Sequence, residues 1–506
     1  MILVESRRVN SPTAPWLLWL GIVLLACVAL LSARVSSAVT LDRPYLGQTS
    51  GLEEEALFSL WKAHHGMPVY TDALSPPFSA SYFNSLFYTT YAAWSRLWAV
   101  FGSFDDAWLP TIWRVLSLLF CLGIWLVLWR VIRSACLNVE CRPSSWFAMI
   151  AAGLCVFNPL FHWMSFSVRP DVAAVLGEVV CLGFLLAHVR RFSWACLLGA
   201  GCAAALAWSF KQSQGFAFAG GCGFLLWHRR WLEFALFVLP LLIVVPATLG
   251  LAGEWYRQNT LTLHALASQF SAGQGMRLAM SALAKTPFMI AGLLLLFPLI
   301  RRWRDLEPDM RLMVMVVVLS IPLCLFTSSK IGAADYYYLA PSVFASVLLF
   351  SVLVRSLAAG MVDAMGRSCV KWFVSGSLLL QLVVVGLIFA GRLGKVSVRE
   401  DQALAVRLQQ RLAHEEGPVL VTGRPYNLPW LQPGRPAFVF SFLYDEYEKH
   451  HPELREHGLR ALVQQGYFRV VVDVDDPPLD FSREIAGSCK LAEVGEGFRV
   501  YRPMHP

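Results

Sequence analysis

Apolar residues run along this chain in long, nearly unbroken blocks, unlike the short alternating or 3.6-spaced stretches of a water-soluble fold. A bilayer core about 30 Å thick needs roughly 20 mainly apolar residues per helix. Eleven blocks approach or meet that length: Pro15 to Ala33, Trp108 to Trp129, Ser145 to Trp163, Val172 to His188, Trp194 to Phe210, Ser213 to Trp227, Leu232 to Leu251, Pro287 to Ile300, Leu312 to Thr327, Tyr336 to Val354 and Trp372 to Ala390. They predict a mainly α, polytopic transmembrane bundle.

Two regions break the pattern. Residues 34–107 are far too long for a simple connector. Within them Glu53 to His64 has helical spacing, with Leu57, Leu60 and Trp61 on one face and Gly66 where a helix would stop. A second amphipathic stretch, Tyr82 to Phe101, is rich in Tyr and Trp and is expected to lie in the headgroup layer. Pro68, Pro76 and Pro77 enforce irregular backbone between the two, so the loop reads as a lid or a surface site. After residue 395 short elements alternate: a helix from Asp401 to His414, strands at Val419 to Thr422 and Ala437 to Phe442, a helix from Glu456 to Gln465, a strand from Arg469 to Asp473, then strands near Leu491 and Arg499. This predicts a small α/β domain over 396–506, following a membrane domain over 1–395.

Composition agrees with this division. Of 506 residues 57% are hydrophobic and only 15% charged, against about 25% charged in a soluble chain, which excludes one large soluble core. The net charge of +8 is unevenly placed: the first 398 residues carry 29 basic and 18 acidic side chains, the rest 13 and 16. Arg7 and Arg8, Arg130 and Arg133, Arg190 and Arg191, Arg229 and Arg230, Arg301 to Arg311, and Arg355 to Lys371 fall on alternate loops. Positive residues are retained inside, so the N-terminus is expected in the cytoplasm and both the 34–107 loop and the C-terminal domain outside. The basic excess is then a topology signal, and nucleic acid is not an expected partner. Ser36, Ser37 and Ala38 imitate a signal-cleavage site, but the preceding apolar run is longer than such a signal needs. Cys27, Cys121, Cys155, Cys181, Cys202, Cys222 and Cys324 fall within spans as small packing residues.

Charge near hydrocarbon is expensive and usually faces a wet cavity or a partner. On the expected outer face stand Arg169-Pro170-Asp171, Lys211-Gln212, and Ser329-Lys330 followed by Asp335-Tyr336. Each one alone reads equally well as an interfacial anchor. Three basic sites level with an acidic loop point to a shared polar cavity. Asp171 reads as an orienting or sugar-contacting carboxylate or as the cap of the following helix, and Asp72 as a turn residue or part of a pocket wall. The pairs His64-His65 and His450-His451 are poor metal sites, because neighbours on a helix point about 100° apart. No metal site is predicted. Gly199-Ala200-Gly201 reads as a close helix approach, not a phosphate loop.

In this order and placement the motifs resemble the GT-C superfamily of integral-membrane glycosyltransferases, especially the branch containing glycosyltransferase family 39 and the lipid A aminoarabinose transferases. The matching elements are Glu53, Glu54 and Glu55, Gly66-x-x-x-Tyr70-x-Asp72, Pro76-Pro77, Tyr82-x-Asn84, Arg114, Arg169-Pro170-Asp171, Lys211-Gln212, and Ser329-Lys330 with Tyr336. The likeness covers residues 15–390. Where the family commonly has an Asp-Glu pair, this chain has Leu52-Glu53. Glu53 matches best, with Glu54 a rival one residue on and Asp42 a substitute nearer the membrane. The resemblance implies a hexosyl or pentosyl transferase in a bacterial inner membrane. It would take a sugar from a polyprenyl-phosphate donor to a lipid, glycan or protein acceptor on the outer face. It implies Glu53, Glu54 or Asp171 as catalytic carboxylate, and Arg169, Lys211, Gln212, Lys330, Tyr336, Tyr70 and Asp72 around the donor. No dedicated cofactor is implied, and a divalent cation beside the phosphate is left open. The competing reading is a transporter or flippase, which usually carries internal repeats and broken helices. No convincing repeat stands in this sequence.

Overall fold

The computed structural model describes residues 14–38, 53–73, 75, 79–134, 145–263, 270–330, 332–358, 364–393, 397–422, 458–474 and 481–504. The chain enters through α1 (Ala14–Ala38), followed by the two loop helices α2 (Glu54–His64) and α3 (Ser85–Ala99). The bundle continues with α4 (Leu109–Ser134), α5 (Ser145–Val156), α6 (Asp171–Arg191), α7 (Trp194–Phe210), α8 (Phe216–Trp227) and α9 (Trp231–Leu251). Then come the short α10 (Glu254–Arg257), which runs on as a π-helical turn, α11 (Ala272–Lys285), α12 (Pro287–Arg301), α13 (Pro308–Ser328), α14 (Leu339–Ala358) and α15 (Ala364–Leu393). Among the described residues seven helices are long and apolar enough to cross a membrane. A bent pair, α11 and α12 meeting at 105°, makes up to eight, and three shorter apolar helices lie among them. Every predicted block contains a helix.

Two departures have local causes. The third block ends as a helix at Val156, because Asn158 precedes Pro159 and the residue before proline avoids the α region. The Asn158 amide then donates to Cys155 O at 2.8 Å and its oxygen accepts from Leu160 N–H at 3.0 Å. Residues 157–170 therefore fold into buried irregular chain that carries Arg169 towards the loop helices. Helix α11 had no sequence expectation; its signal is an N-cap serine, the Ser271 hydroxyl accepting from Gln274 N–H at 3.3 Å. Small residues bring helices together where expected: a Cβ on Gly201 would meet Phe237 O at 2.4 Å. That contact serves packing between α7 and α9.

The two loop helices form a lid over one end of the bundle. Helix α2 stops as predicted, with Gly66 at φ +73° and Met67 N–H bonding back to Lys62 O at 2.9 Å. Beyond the bundle, α16 (Ser397–Leu412), α17 (Leu459–Gln464) and α18 (Ser482–Ser488) accompany strands β1 (Val419–Val421), β2 (Val470–Val474), β3 (Cys489–Gly495) and β4 (Phe498–Pro503). The sheet order is β1-β2-β4-β3, with β1 parallel to β2 and the other pairs antiparallel. The strand predicted over 437–442 lies outside the described residues. One apolar cluster runs from Ala56, Leu57 and Leu60 of α2 and Phe87 and Tyr91 of α3 to Leu408 of α16 and Val419, Val470 and Val500 of the sheet. Lid and C-terminal domain thus share a core at the same end of the bundle.

The opposite end is tied by ion pairs among the basic loops. Asp309 bonds Arg190 and Arg355, each at 2.8 Å, and Glu307 takes the other side of Arg355 at 2.8 Å.

Candidate active site at the lid

The site begins with the carboxylates of the lid. Glu53 is buried and does not face an open cavity: Arg114 Nη2 donates to its Oε2 at 2.8 Å, and Val168 N–H donates to its Oε1. Both members of this ion pair are shut from solvent. It joins the lid to α4 and to the chain leading into Arg169. The Glu54 side chain, like Asp42 and Pro76-Pro77, lies outside the described residues.

Glu55, part of the acidic patch but not among the carboxylates expected to be catalytic, is buried between hydroxyls. Tyr88 donates to its Oε1 at 2.8 Å and Ser59 at 3.2 Å. Burial pushes its carboxyl up to about 7, against hydrogen bonds from Tyr88, Ser59 and the Tyr82 backbone and the charge of Arg169, which pull it down. On the next turn of α2, burial lowers Lys62 to about 8, and its ammonium bonds Val69 O at 2.7 Å. The signal that could have found Glu55 is helical phase: Glu55, Ser59 and Lys62 fall at i, i+4 and i+7, on one face.

Next to the lid stands a buried cluster of charge. Arg169 Nε donates to Asp171 Oδ2 at 3.0 Å, and Lys211 Nζ donates to Asp171 Oδ1 at 2.5 Å. Asp171 opens α6, but its two oxygens serve these cations and not the helix backbone. Tyr336 lies under the Arg169 guanidinium at 4.4 Å, and Tyr337 under the Lys211 ammonium at 4.3 Å. Phe83 of the lid covers Arg169 at 5.5 Å. Asp171 is thus held between two cations, which also lie against aromatic faces.

A cavity of about 270 Å³ opens beside Lys211 and is lined also by Phe83, Gln212, Ser213, Thr260 and Lys330. Lys330 follows α13, and burial lowers its ammonium to about 8. Arg169, Asp171, Lys211, Gln212, Lys330 and Tyr336 are thus brought together. Tyr70 and Asp72 serve the lid instead. The Tyr70 hydroxyl donates to Phe83 O at 2.8 Å and its ring packs edge-on against Tyr256 at 4.9 Å. Asp72 accepts from Ser75 at 2.5 Å, as a turn residue does. Asn84 donates to Trp208 O at 2.6 Å and accepts from the Tyr256 hydroxyl at 2.7 Å, pinning the lid to α7 and α10.

The histidine pair diverges: His64 bonds Ser95 at 2.8 Å and His65 bonds Asp106 at 2.9 Å. His450 and His451 lie outside the described residues. Among the described residues no three His, Cys, Asp or Glu side chains are grouped to hold a metal ion. An intramembrane carboxylate, also unanticipated, has a structural task. Glu178 of α6 accepts from Phe216 N–H at 2.9 Å and Ala217 N–H at 2.6 Å. It thereby satisfies the start of α8 where the Lys211 loop re-enters the bundle.

No protein-family model and no curated protein matches this sequence. The structure, however, is similar to that of ArnT from Cupriavidus metallidurans bound to undecaprenyl phosphate. The TM-score is 0.58 at 14% identity, covering 97% of this chain and 98% of that one. The chain has the GT-C fold. A second GT-C structure, the apo oligosaccharyltransferase of Archaeoglobus fulgidus, is similar with a TM-score of 0.53 at 11% identity, over 91% of this chain and 70% of that one.

Proposed function

We propose that the protein is a membrane glycosyltransferase. It would move a sugar from a polyprenyl-phosphate donor to a lipid, glycan or protein acceptor at the outer face of a bacterial inner membrane. The observation that carries this reading is the buried Arg169–Asp171–Lys211 cluster, next to a cavity lined by Lys211 and Lys330 and under a lid that holds carboxylates. Its placement in a GT-C fold supports the same activity.

The chemistry follows from the charges. Glu55 takes the proton of the acceptor hydroxyl while that oxygen forms a bond to the anomeric carbon of the sugar. The bond from that carbon to the phosphate oxygen breaks, and its electron pair stays on the phosphate, which leaves as a lipid-linked monoester. The leaving group needs positive charge that acts more strongly as the bond breaks. Arg169, Lys211 and Lys330 supply it, Arg169 through its planar fork and the lysines as point charges. No protonation of the leaving group is required.

Glu53 and Asp171 act as positioning groups in this reading. Each is bonded to a cation, whereas Glu55 is a lid carboxylate held by hydroxyls and backbone and buried beside the cluster. A divalent cation would add to the charge on the phosphate side.

The test is mass spectrometry of envelope glycolipids and glycoproteins with and without the protein, with the lipid-linked donor measured in parallel. Loss of one sugar modification with accumulation of its donor is the expected result. Movement of an intact lipid-linked sugar across the bilayer, with no glycosidic bond exchanged, would establish a flippase instead.

A further inference from the structure

We infer that the donor carries a single, uncharged, hydroxyl-rich sugar ring, bound in the cavity beside Lys211 by groups that accept hydrogen bonds; this rests on the transferase reading above. Cavity size is the first reason. Small-molecule sites commonly measure about 300–1,000 Å³, and this one, at about 270 Å³, suits one ring and not an oligosaccharide.

The second reason is the direction of the hydrogen bonds already made. The Gln212 amide nitrogen donates to Tyr82 O at 2.7 Å, the Thr260 hydroxyl to Tyr256 O at 2.8 Å and the Thr327 hydroxyl to Leu323 O at 3.0 Å. With those hydrogens turned to the backbone, the three side chains have lone pairs left to offer a ligand. Gln212 Oε1 and Ser213 Oγ, on two residues that line the cavity, are buried without a hydrogen-bond partner. Such groups are costly to leave unmade. Sugar hydroxyls are donors of the kind they lack.

Charge supplies the third reason. Among the described residues the lining contains Lys211 and Lys330 and no acidic side chain. The nearby Asp171 already holds Arg169 and Lys211. An amino sugar would bring an ammonium group to two lysines with no carboxylate to pair it. A uronate would compete with the donor's own phosphate for Lys330 and would face the lone pairs of Gln212, Thr260 and Thr327.

The test uses the full-length protein in lipid nanodiscs and one prenyl phosphate carrying, in turn, a neutral hexose, a hexuronate, a 4-amino sugar or a neutral disaccharide, with the bare prenyl phosphate as reference. Direct binding should favour the neutral hexose by roughly tenfold or more over the other three, the worth of one or two directed hydrogen bonds. Gln212→Glu, which places a carboxylate in the lining, should shift that ratio roughly tenfold towards the 4-amino sugar. Equal or tighter binding of the 4-amino sugar, uronate or disaccharide by the unaltered protein overturns the assignment while leaving the transferase reading intact. Failure of all four and of the bare prenyl phosphate to bind removes the transferase reading itself.

Discussion

At the scale of single residues, the lid shows how two neighbouring glutamates, Glu53 and Glu55, acquire different partners. Glu53 points one way along α2 and meets the buried Arg114; Glu55 points another and meets hydroxyls. Removing one partner of a buried ion pair leaves an uncompensated charge, at a cost of about 3–5 kcal/mol. Glu53→Gln should therefore lower thermal stability by that order, measurable as an earlier unfolding transition. Glu55→Gln mimics the neutral carboxyl that burial already favours, so its unfolding transition should stay in place. Transfer should fall by about 10²- to 10⁴-fold, the usual share of a general base. An unaltered transfer rate in Glu55→Gln would take that residue out of the reaction.

The same two titrations set a pH profile. Glu55 must be deprotonated to accept a proton and Lys330 protonated to hold the phosphate, so transfer should rise through about pH 7 and fall above about pH 8. Tyr88, Tyr70, Lys62 and Arg169 face or influence Glu55. A rate measured across pH 5 to 10 in Glu55→Gln should lose the rising limb alone.

At the scale of elements, the positions of the functional side chains depend on where helices stop. Asn158-Pro159 ends α5 early, and the irregular chain that follows delivers Arg169 to the lid. Helix α8 starts inside the bundle because Glu178 receives its first two amides. Glu178→Ala would leave both N–H groups unmet in a dry setting, at about 1–3 kcal/mol each. The expected outcome is a lower melting temperature and weakened prenyl-phosphate binding, because the Lys211–Gly215 segment is held from this point. Donor affinity equal to that of the unaltered protein would show that α8 holds the segment without its cap.

The whole molecule adds a link between distant parts of the chain. The sheet of the C-terminal domain continues the apolar cluster of the lid helices. Deleting 397–506 should expose Leu57 and Leu60, speed proteolysis at Lys62 and Arg96, and reduce transfer. Protease resistance of the lid in the truncated chain would refute this coupling.

Much of this organisation was determined by the sequence itself. Eleven apolar blocks, the lid helices, the alternating C-terminal elements and the level shared by Arg169, Lys211 and Lys330 were all readable, because burial in lipid and helical periodicity act locally along the chain. The partners of the charges were not. Whether Glu53 or Glu55 meets a cation depends on Arg114, Tyr88 and Val168, which are 33 to 115 residues away in the chain. Asp171 could be read as a cap or as an ion-pair partner until Lys211, 40 residues on, was found bonded to it. Local pattern decides which side chains leave water. Only tertiary packing decides which buried charge each of them meets, because those partners lie tens of residues away in the chain.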